Sequence, residues 1–190
     1  MVKLGFIGEG ATEKIILESK SFRQFLISHN ISFIENVIDA TGNGNLLPKN
    51  IAGFVNRLKD EGATIIIILT DLDEDKCISL TKERIDPEGK HIVLVSVKEI
   101  ESWFLSDIKT MRSFFSDDQF IFNQPENISD PFSEIRALRI QKTGRGLVTK
   151  KTLANLMVYK SGFSIIEAAK HPDCSSAKYF LDKILSFSTK

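Results

Sequence analysis

The chain has 190 residues, 42% hydrophobic and 26% charged, with 5 Pro and 11 Gly, a composition that excludes collagen-like, low-complexity and wholly disordered chains. Its formal net charge is zero but unevenly spread: residues 1–135 carry 14 Lys/Arg against 22 Asp/Glu, residues 136–190 carry 11 against 3. That asymmetry suits an acidic metal site beside a basic surface for a polyanion, or two parts that neutralise each other across a packed interface.

Residues 2–8 (VKLGFIG) predict a buried strand. Thr12 is placed to cap a helix with Glu13 in its first turn, and Ile15, Phe22 and Leu26 continue a helical period to about His29. Residues 31–40 (ISFIENVIDA) form a second strand candidate, followed by the turn-rich Gly42-Asn43-Gly44-Asn45. Pro48 suits the first turn of a helix carrying Ile51, Phe54, Val55 and Leu58 on one face, and Gly62 suits its end. The unbroken β-branched run at 63–70 (ATIIIILT) is the signature of a strand covered on both faces. A short polar helix, a fourth strand at 91–97 (HIVLVSV) and a helix opening at 99–105 come next. This alternation predicts an α/β fold: an open, mostly parallel four-stranded sheet flanked by helices, with a helical C-terminal part. Residues 1–110 form the expected core and 111–190 a mainly helical extension packed on it. In the extension, 116–130 lack a clean period, 142–151 (KTGRGLVTKK) read as a basic loop, and 152–160, 164–170 and 175–187 read as helices.

No apolar run approaches the roughly 20 residues of a membrane span, and the start MVKLGFIGEG meets Glu9 too soon for a signal peptide. Cys77 and Cys174 lie too far apart for a zinc-binding pair. The expectation is a reduced, cytoplasmic protein with no membrane association.

Functional groups of an open parallel sheet collect at the carboxyl ends of its strands. Here the first strand ends in Glu9, the third in Asp71-Leu72-Asp73, and the fourth leads into Lys98-Glu99-Ile100-Glu101. Several carboxylates in one crevice repel unless a cation neutralises them, and their hard oxygens suit Mg²⁺ or Mn²⁺. Glu9, Asp71 and Asp73 are the first candidates as ligands, with Glu99 and Glu101 as further ones. Glu13, four residues after Glu9, can face the same crevice or serve as an ordinary first-turn acid. Glu74, Asp75 and Asp107 read as solvated acids, and Trp103 and Phe104 as core. Gly8-Glu9-Gly10 is not a dinucleotide-binding turn, because Glu13 stands where G-x-G-x-x-G needs its last glycine. Lys142, Arg145, Lys150 and Lys151 are candidate contacts to a nucleic-acid backbone or simply solvated charges. His29, His91 and His171 have no ligand spacing.

A Glu after the first strand and an Asp-x-Asp after the third resemble the Toprim family. Glu9-Gly10-Ala11-Thr12-Glu13 resembles the start of its OLD-nuclease-like branch. The stretch from Lys98 to Asp107 (KEIESWFLSD) and the late Ser175-Ser176-Ala177-Lys178-Tyr179-Phe180 are similar to a group of small bacterial proteins of unknown function often encoded beside an ATPase in presumed phage-defence systems. The resemblance implies a Toprim-like sheet, Mg²⁺ or Mn²⁺ held by Glu9, Asp71 and Asp73 with Glu13, and cleavage of DNA or RNA phosphodiesters. It also implies a separately encoded ATPase partner; a homo-oligomer is a separate expectation. Glu9, Asp71 and Asp73 would then be catalytic, with Lys98 the candidate basic residue near the scissile phosphate. The alternative is a non-catalytic Toprim-fold subunit that docks the ATPase; a small-phosphate-ester hydrolase is a remoter third. No G-x-x-x-x-G-K-[S/T] loop is present, so any ATPase is another chain.

Overall fold

The computed structural model describes residues 2–188. Its sheet is built on three long strands, β1 (Lys3–Gly8), β4 (Ile65–Asp71) and β5 (Ile92–Ser96). Two short strands, β2 (Ser32–Phe33) and β3 (Ile38–Asp39), share the outer edge of β1. The order is β2/β3–β1–β4–β5 and every pairing is parallel. The sheet is thus α/β and parallel as expected, with five strands in four positions. The expected second strand divides because the backbone of Val37 bonds to side chains of another element, its carbonyl accepting from Lys14 Nζ at 2.8 Å and its N–H donating to Glu18 Oε1 at 3.1 Å.

Side chains alternate across the strands, so each long strand feeds two cores. Leu4, Phe6, Ile67, Leu69 and Leu94 belong to one apolar cluster, and Ile7, Ile66, Ile68, Val93 and Val95 to the other. The second cluster is closed by α3 (Pro48–Asp60) and α4 (Ile78–Ile85), through Ile51, Val55, Leu58 and Ile85. On the opposite face lie α1 (Ala11–Leu17) and α2 (Lys20–Ser28). They are two helices rather than the single one expected, because Ser19 starts a new one by accepting the Phe22 N–H at 3.2 Å. Gly10, not Thr12, is the N-cap of α1.

The rest of that face is helical: α5 (Glu101–Ser106), α6 (Ile108–Phe115), α7 (Pro131–Thr143), α8 (Lys150–Asn155) continuing as a π-helical turn over Leu156–Ser161, α9 (Ile165–Ala168) and α10 (Ser175–Leu185). Their apolar residues enter the same cluster as β1 and β4. All six residues of α5 are buried. The Trp103 ring lies 5.4 Å from that of Phe180 in a tilted contact and donates its indole N–H to Ser176 Oγ at 2.7 Å, while Phe104 meets Phe163 edge-on at 4.7 Å. The helix at α7 was not anticipated, and it carries Lys142 in its last turn, so the basic loop is only 144–149. No helix among the described residues is long and apolar enough to cross a membrane.

Candidate functional site

Glu9 follows β1 directly and its N–H donates to the Leu69 carbonyl of β4 at 2.9 Å. Its carboxylate is held from β4 as well: Thr70 Oγ1 donates to Glu9 Oε2 at 2.6 Å and the Asp71 N–H to the same oxygen at 3.3 Å. Asp71 ends β4 as a buried carboxylate. Its Oδ1 accepts from Ser96 Oγ at 2.5 Å and from the Ile100 N–H at 2.8 Å, tying it to the end of β5. Glu13, in the first turn of α1, accepts the Gly10 N–H at 2.8 Å. Both readings of Glu13 therefore describe its position: it caps its own helix and lines the crevice. Glu101 opens α5 with no exposed surface and accepts from Thr12 Oγ1 at 3.4 Å.

These four carboxylates, from the ends of three parallel strands and the helices that follow, line one cavity of about 200 Å³ with Thr12, Lys150 and Lys151. Each has its pKa raised. Burial is the main cause for Glu9, Glu13, Asp71 and Glu101 alike. Mutual repulsion adds to it: Glu13, Glu101 and Glu9 all act on Asp71, and Glu101 and Glu9 act on Glu13. Glu101 is pushed up to about 7. Such upward shifts belong to carboxyls whose charged form is disfavoured by burial and by neighbouring acids.

A second cavity of about 360 Å³ adjoins the first and is lined by Asn43, Asp73, Glu74, Asp75, Arg84, Lys98, Glu99 and Ser129. Asp73 and Lys98, both in its lining, are joined through their backbones. The Asp73 N–H donates to the Lys98 carbonyl at 2.9 Å, and both residues sit at left-handed φ, 48° and 62°. Non-glycine residues in that region are uncommon and cost of order 1–3 kcal/mol, a kind of strain that clusters at functional sites. The Asp73 charge reaches Glu9, which links the two cavities electrostatically.

Lys150 bridges them physically. Its Nζ lies 2.9 Å from Glu99 Oε1 and 3.6 Å from Glu101 Oε2. Lys151 lines the same inner cavity. Lys142 and Arg145 do not reach it. They line a separate hollow with Arg139 and Phe114, and Lys142 is paired with Asp117 at 2.5 Å. The four basic residues grouped by sequence thus divide two and two. Asp107 is not a solvated acid: it is buried, N-caps α6 through Thr110, and accepts the Ser164 N–H at 3.0 Å. Asp75 is partly exposed and paired with Arg84 at 2.9 Å. Cys77 and Cys174 are free thiols, and burial pushes Cys174 up to about 12, out of range for a nucleophile at neutral pH.

Among the described residues, no group of three His, Cys, Asp or Glu side chains is already arranged to hold a metal ion. The carboxylates point instead at Thr70, Gly10, Ser96 and Lys150. Their chemistry nevertheless fits a hard divalent cation: all donors are carboxylate oxygens, and Glu99 Oε2 and Glu101 Oε2 are buried without a hydrogen-bond partner.

The sequence profile of a domain of unknown function, DUF4276, matches residues 8–185. The chain belongs to the DUF4276 family. Among solved structures, this DUF4276 chain is similar to the C-terminal region of the Burkholderia pseudomallei OLD protein, with a TM-score of 0.48 and 16% identity over 97% of this chain and 99% of that one. No curated protein matches it. Around the crevice carboxylates, Thr12, Thr70 and Ser96 are hydroxyl donors to Glu101, Glu9 and Asp71. Sequence reasoning missed these roles; the available signals were Thr70 beside Asp71 at the end of β4 and Ser96 at the end of β5.

Proposed function

We propose that this protein is a divalent-metal-dependent nuclease of the Toprim type, acting on nucleic-acid phosphodiesters. The observation that carries the reading is one crevice lined by Glu9, Glu13, Asp71 and Glu101, each with its carboxyl pKa raised chiefly by burial. The strand-end Glu and Asp-x-Asp pattern that resembles the Toprim family supports it. Glu9 and Asp71 would hold Mg²⁺ or Mn²⁺, with Glu13 and Asp73 beside them. A bound ion at such a site supplies Lewis acidity toward a phosphoryl oxygen and a more acidic water.

The chain's own groups do the rest. Thr70 and Ser96 fix the orientation of the Glu9 and Asp71 carboxylates by donating one hydrogen bond to each. Lys98 and Lys151, at the rims of the two cavities, bring positive charge to where a phosphate backbone would lie. The cavities are small and polar, which suits a phosphodiester presented from solution better than an engulfed cofactor.

Purified protein incubated with supercoiled plasmid, single-stranded DNA and single-stranded RNA in Mg²⁺ or Mn²⁺ tests this. Cleavage is expected of the wild type and a loss of at least about 100-fold for Asp71→Asn, which keeps the oxygen that Ser96 and Ile100 bond. Cleavage undiminished in Asp71→Asn, or failure of the wild type to bind Mn²⁺ by calorimetry, overturns the assignment. Mn²⁺ binding without cleavage of any substrate would instead favour a non-catalytic subunit for a separate ATPase.

A further inference from the structure

The end of α7 gathers positive charge outside the acidic crevice. Arg139 and Lys142 stand three residues apart and share one side of the helix. Gly144, at φ 69°, turns the chain back over the helix end, its N–H donating to the Ile140 carbonyl at 2.9 Å. The turn keeps Arg145 beside them, its N–H donating to Thr143 Oγ1 at 3.2 Å. With Phe114 and Ser116 at the end of α6, these cations line an open hollow of about 330 Å³ whose lining contains no acidic residue.

The cations are held in place but not balanced. The Arg139 guanidinium lies 4.7 Å over the Phe114 ring, and its Nε is buried without a hydrogen-bond partner. Neither Arg139 nor Arg145 has an acidic ion-pair partner among the described residues. Lys142 is paired with Asp117 at 2.5 Å. Burial, and then the Arg145 charge, lower the Arg139 pKa, so the two guanidiniums feel each other. Like charges gathered beside an aromatic ring, with no matching counter-charge in the chain, are relieved by an anion from outside. A guanidinium stacked on a ring has its planar fork already oriented, which suits the oxygens of a phosphate.

The kind of phosphate follows from where the hollow leads. The loop 144–149 runs from it to Lys150 and Lys151, which line the acidic crevice. Lys150 follows Arg145 by five residues, so their backbones are at most about 18 Å apart. Phosphates recur every ~3.4 Å along one strand of a duplex, and roughly five nucleotides cover that span. A free phosphate would fill one end of this basic track, whereas a polymer engages both.

We propose that the hollow of Phe114, Arg139, Lys142 and Arg145 is a phosphate-binding subsite for the backbone of a nucleic-acid strand, set apart from the acidic crevice and joined to it by the loop 144–149. Its grip is on phosphate, so it fixes where the strand lies without reading its sequence. The delivery of that strand to the crevice rests on the nuclease reading above; the subsite itself does not.

Fluorescence anisotropy of labelled single-stranded and duplex oligonucleotides, in EDTA so that no metal contributes, tests this on full-length protein whose folding is checked by circular dichroism. The wild type is expected to bind with an affinity that falls steeply with salt. Arg139→Gln with Arg145→Gln should weaken binding at least about tenfold and lower the salt slope by about two, and the exposed Arg145→Gln alone by about one. Lys178→Gln with Lys183→Gln removes the same charge from α10, away from the hollow, and should leave both quantities near wild type. Equal losses in the two double variants overturn the proposal, since net charge alone would then explain them. So does a wild type that binds no oligonucleotide, or one from which polyglutamate displaces the strand as readily as unlabelled oligonucleotide does. Hollow-dependent binding without cleavage in Mg²⁺ or Mn²⁺ keeps the subsite and removes the nuclease reading; cleavage undisturbed by the hollow variants, with binding also unchanged, does the reverse.

Discussion

At the residue scale, Glu101 is a carboxyl group with no exposed surface whose pKa is pushed from 4.5 up to about 7. Burial is the main cause, offset in part by Lys150, with Glu99 raising it further. The consequence for stability has a definite sign. Between pH 4.5 and 7 the unfolded chain has lost this proton and the folded chain keeps it, so folding becomes less favourable as pH rises through that window. A shift of this size corresponds to about 3 kcal/mol. Glu13 and Asp71 are raised by burial and by their acidic neighbours, and act in the same direction. Metal-free protein is therefore expected to melt at a lower temperature at pH 7.5 than at pH 5.5, and added Mn²⁺ to restore more stability at the higher pH. Thermal melts at the two pH values with EDTA or Mn²⁺ check this; a metal-free melting temperature that rises with pH contradicts it.

At the element scale, the crevice depends on how closely α1 approaches the end of β1. Gly8 makes that approach possible: a Cβ there would lie 2.7 Å from Glu13 Cβ and 3.2 Å from the Lys14 nitrogen. Gly8→Ala must push the first turn of α1 away, and with it Glu13 and the link to Glu9. The expected cost is about 1–3 kcal/mol, read from the urea midpoint, together with weakened Mn²⁺ binding by calorimetry. Sequence patterning located the strands well because β1, β4 and β5 are apolar runs covered on both faces. It placed Glu9 and Asp71 at strand ends for the same reason. It did not find the division of the second strand, because the hydrogen bonds to Val37 come from Lys14 and Glu18 on another element. Nor did it find α7, whose signals were local: Asp130 accepts from the Ser133 N–H, Pro131 is the first helical residue, and Gly144 ends the helix at φ 69°. The Lys150 contact with Glu99 and Glu101 joins distant stretches of chain, and no local pattern encodes it.

At the scale of the molecule, the acidic and basic halves of the sequence meet. Lys150 pairs with Glu99 and Glu101, and Lys142 with Asp117, so part of the charge asymmetry is neutralised inside the chain. The apolar contacts cross the same divide. Phe22 of α2 lies 5.6 Å from Phe180 of α10, Trp103 is bonded to Ser176, and Phe104 packs on Phe163. One cluster runs without interruption from Leu4 to Ile184. We therefore expect that residues 1–115 do not fold alone, although they hold the whole sheet and all the crevice carboxylates. Removing the later helices bares Phe22, Trp103 and Phe104, each an aromatic surface of about 150–250 Å². At roughly 25 cal/mol per Å² the three together represent on the order of 10 kcal/mol, comparable to the whole stability of a domain, about 5–15 kcal/mol. The fragment should keep helical far-ultraviolet dichroism, lose its near-ultraviolet signal from Trp103 and bind a hydrophobic dye. A fragment that instead unfolds cooperatively, with a sharp urea transition and a rigid Trp103, would mean that the sheet and its first helices are a domain in their own right and that the C-terminal helices only dock on it.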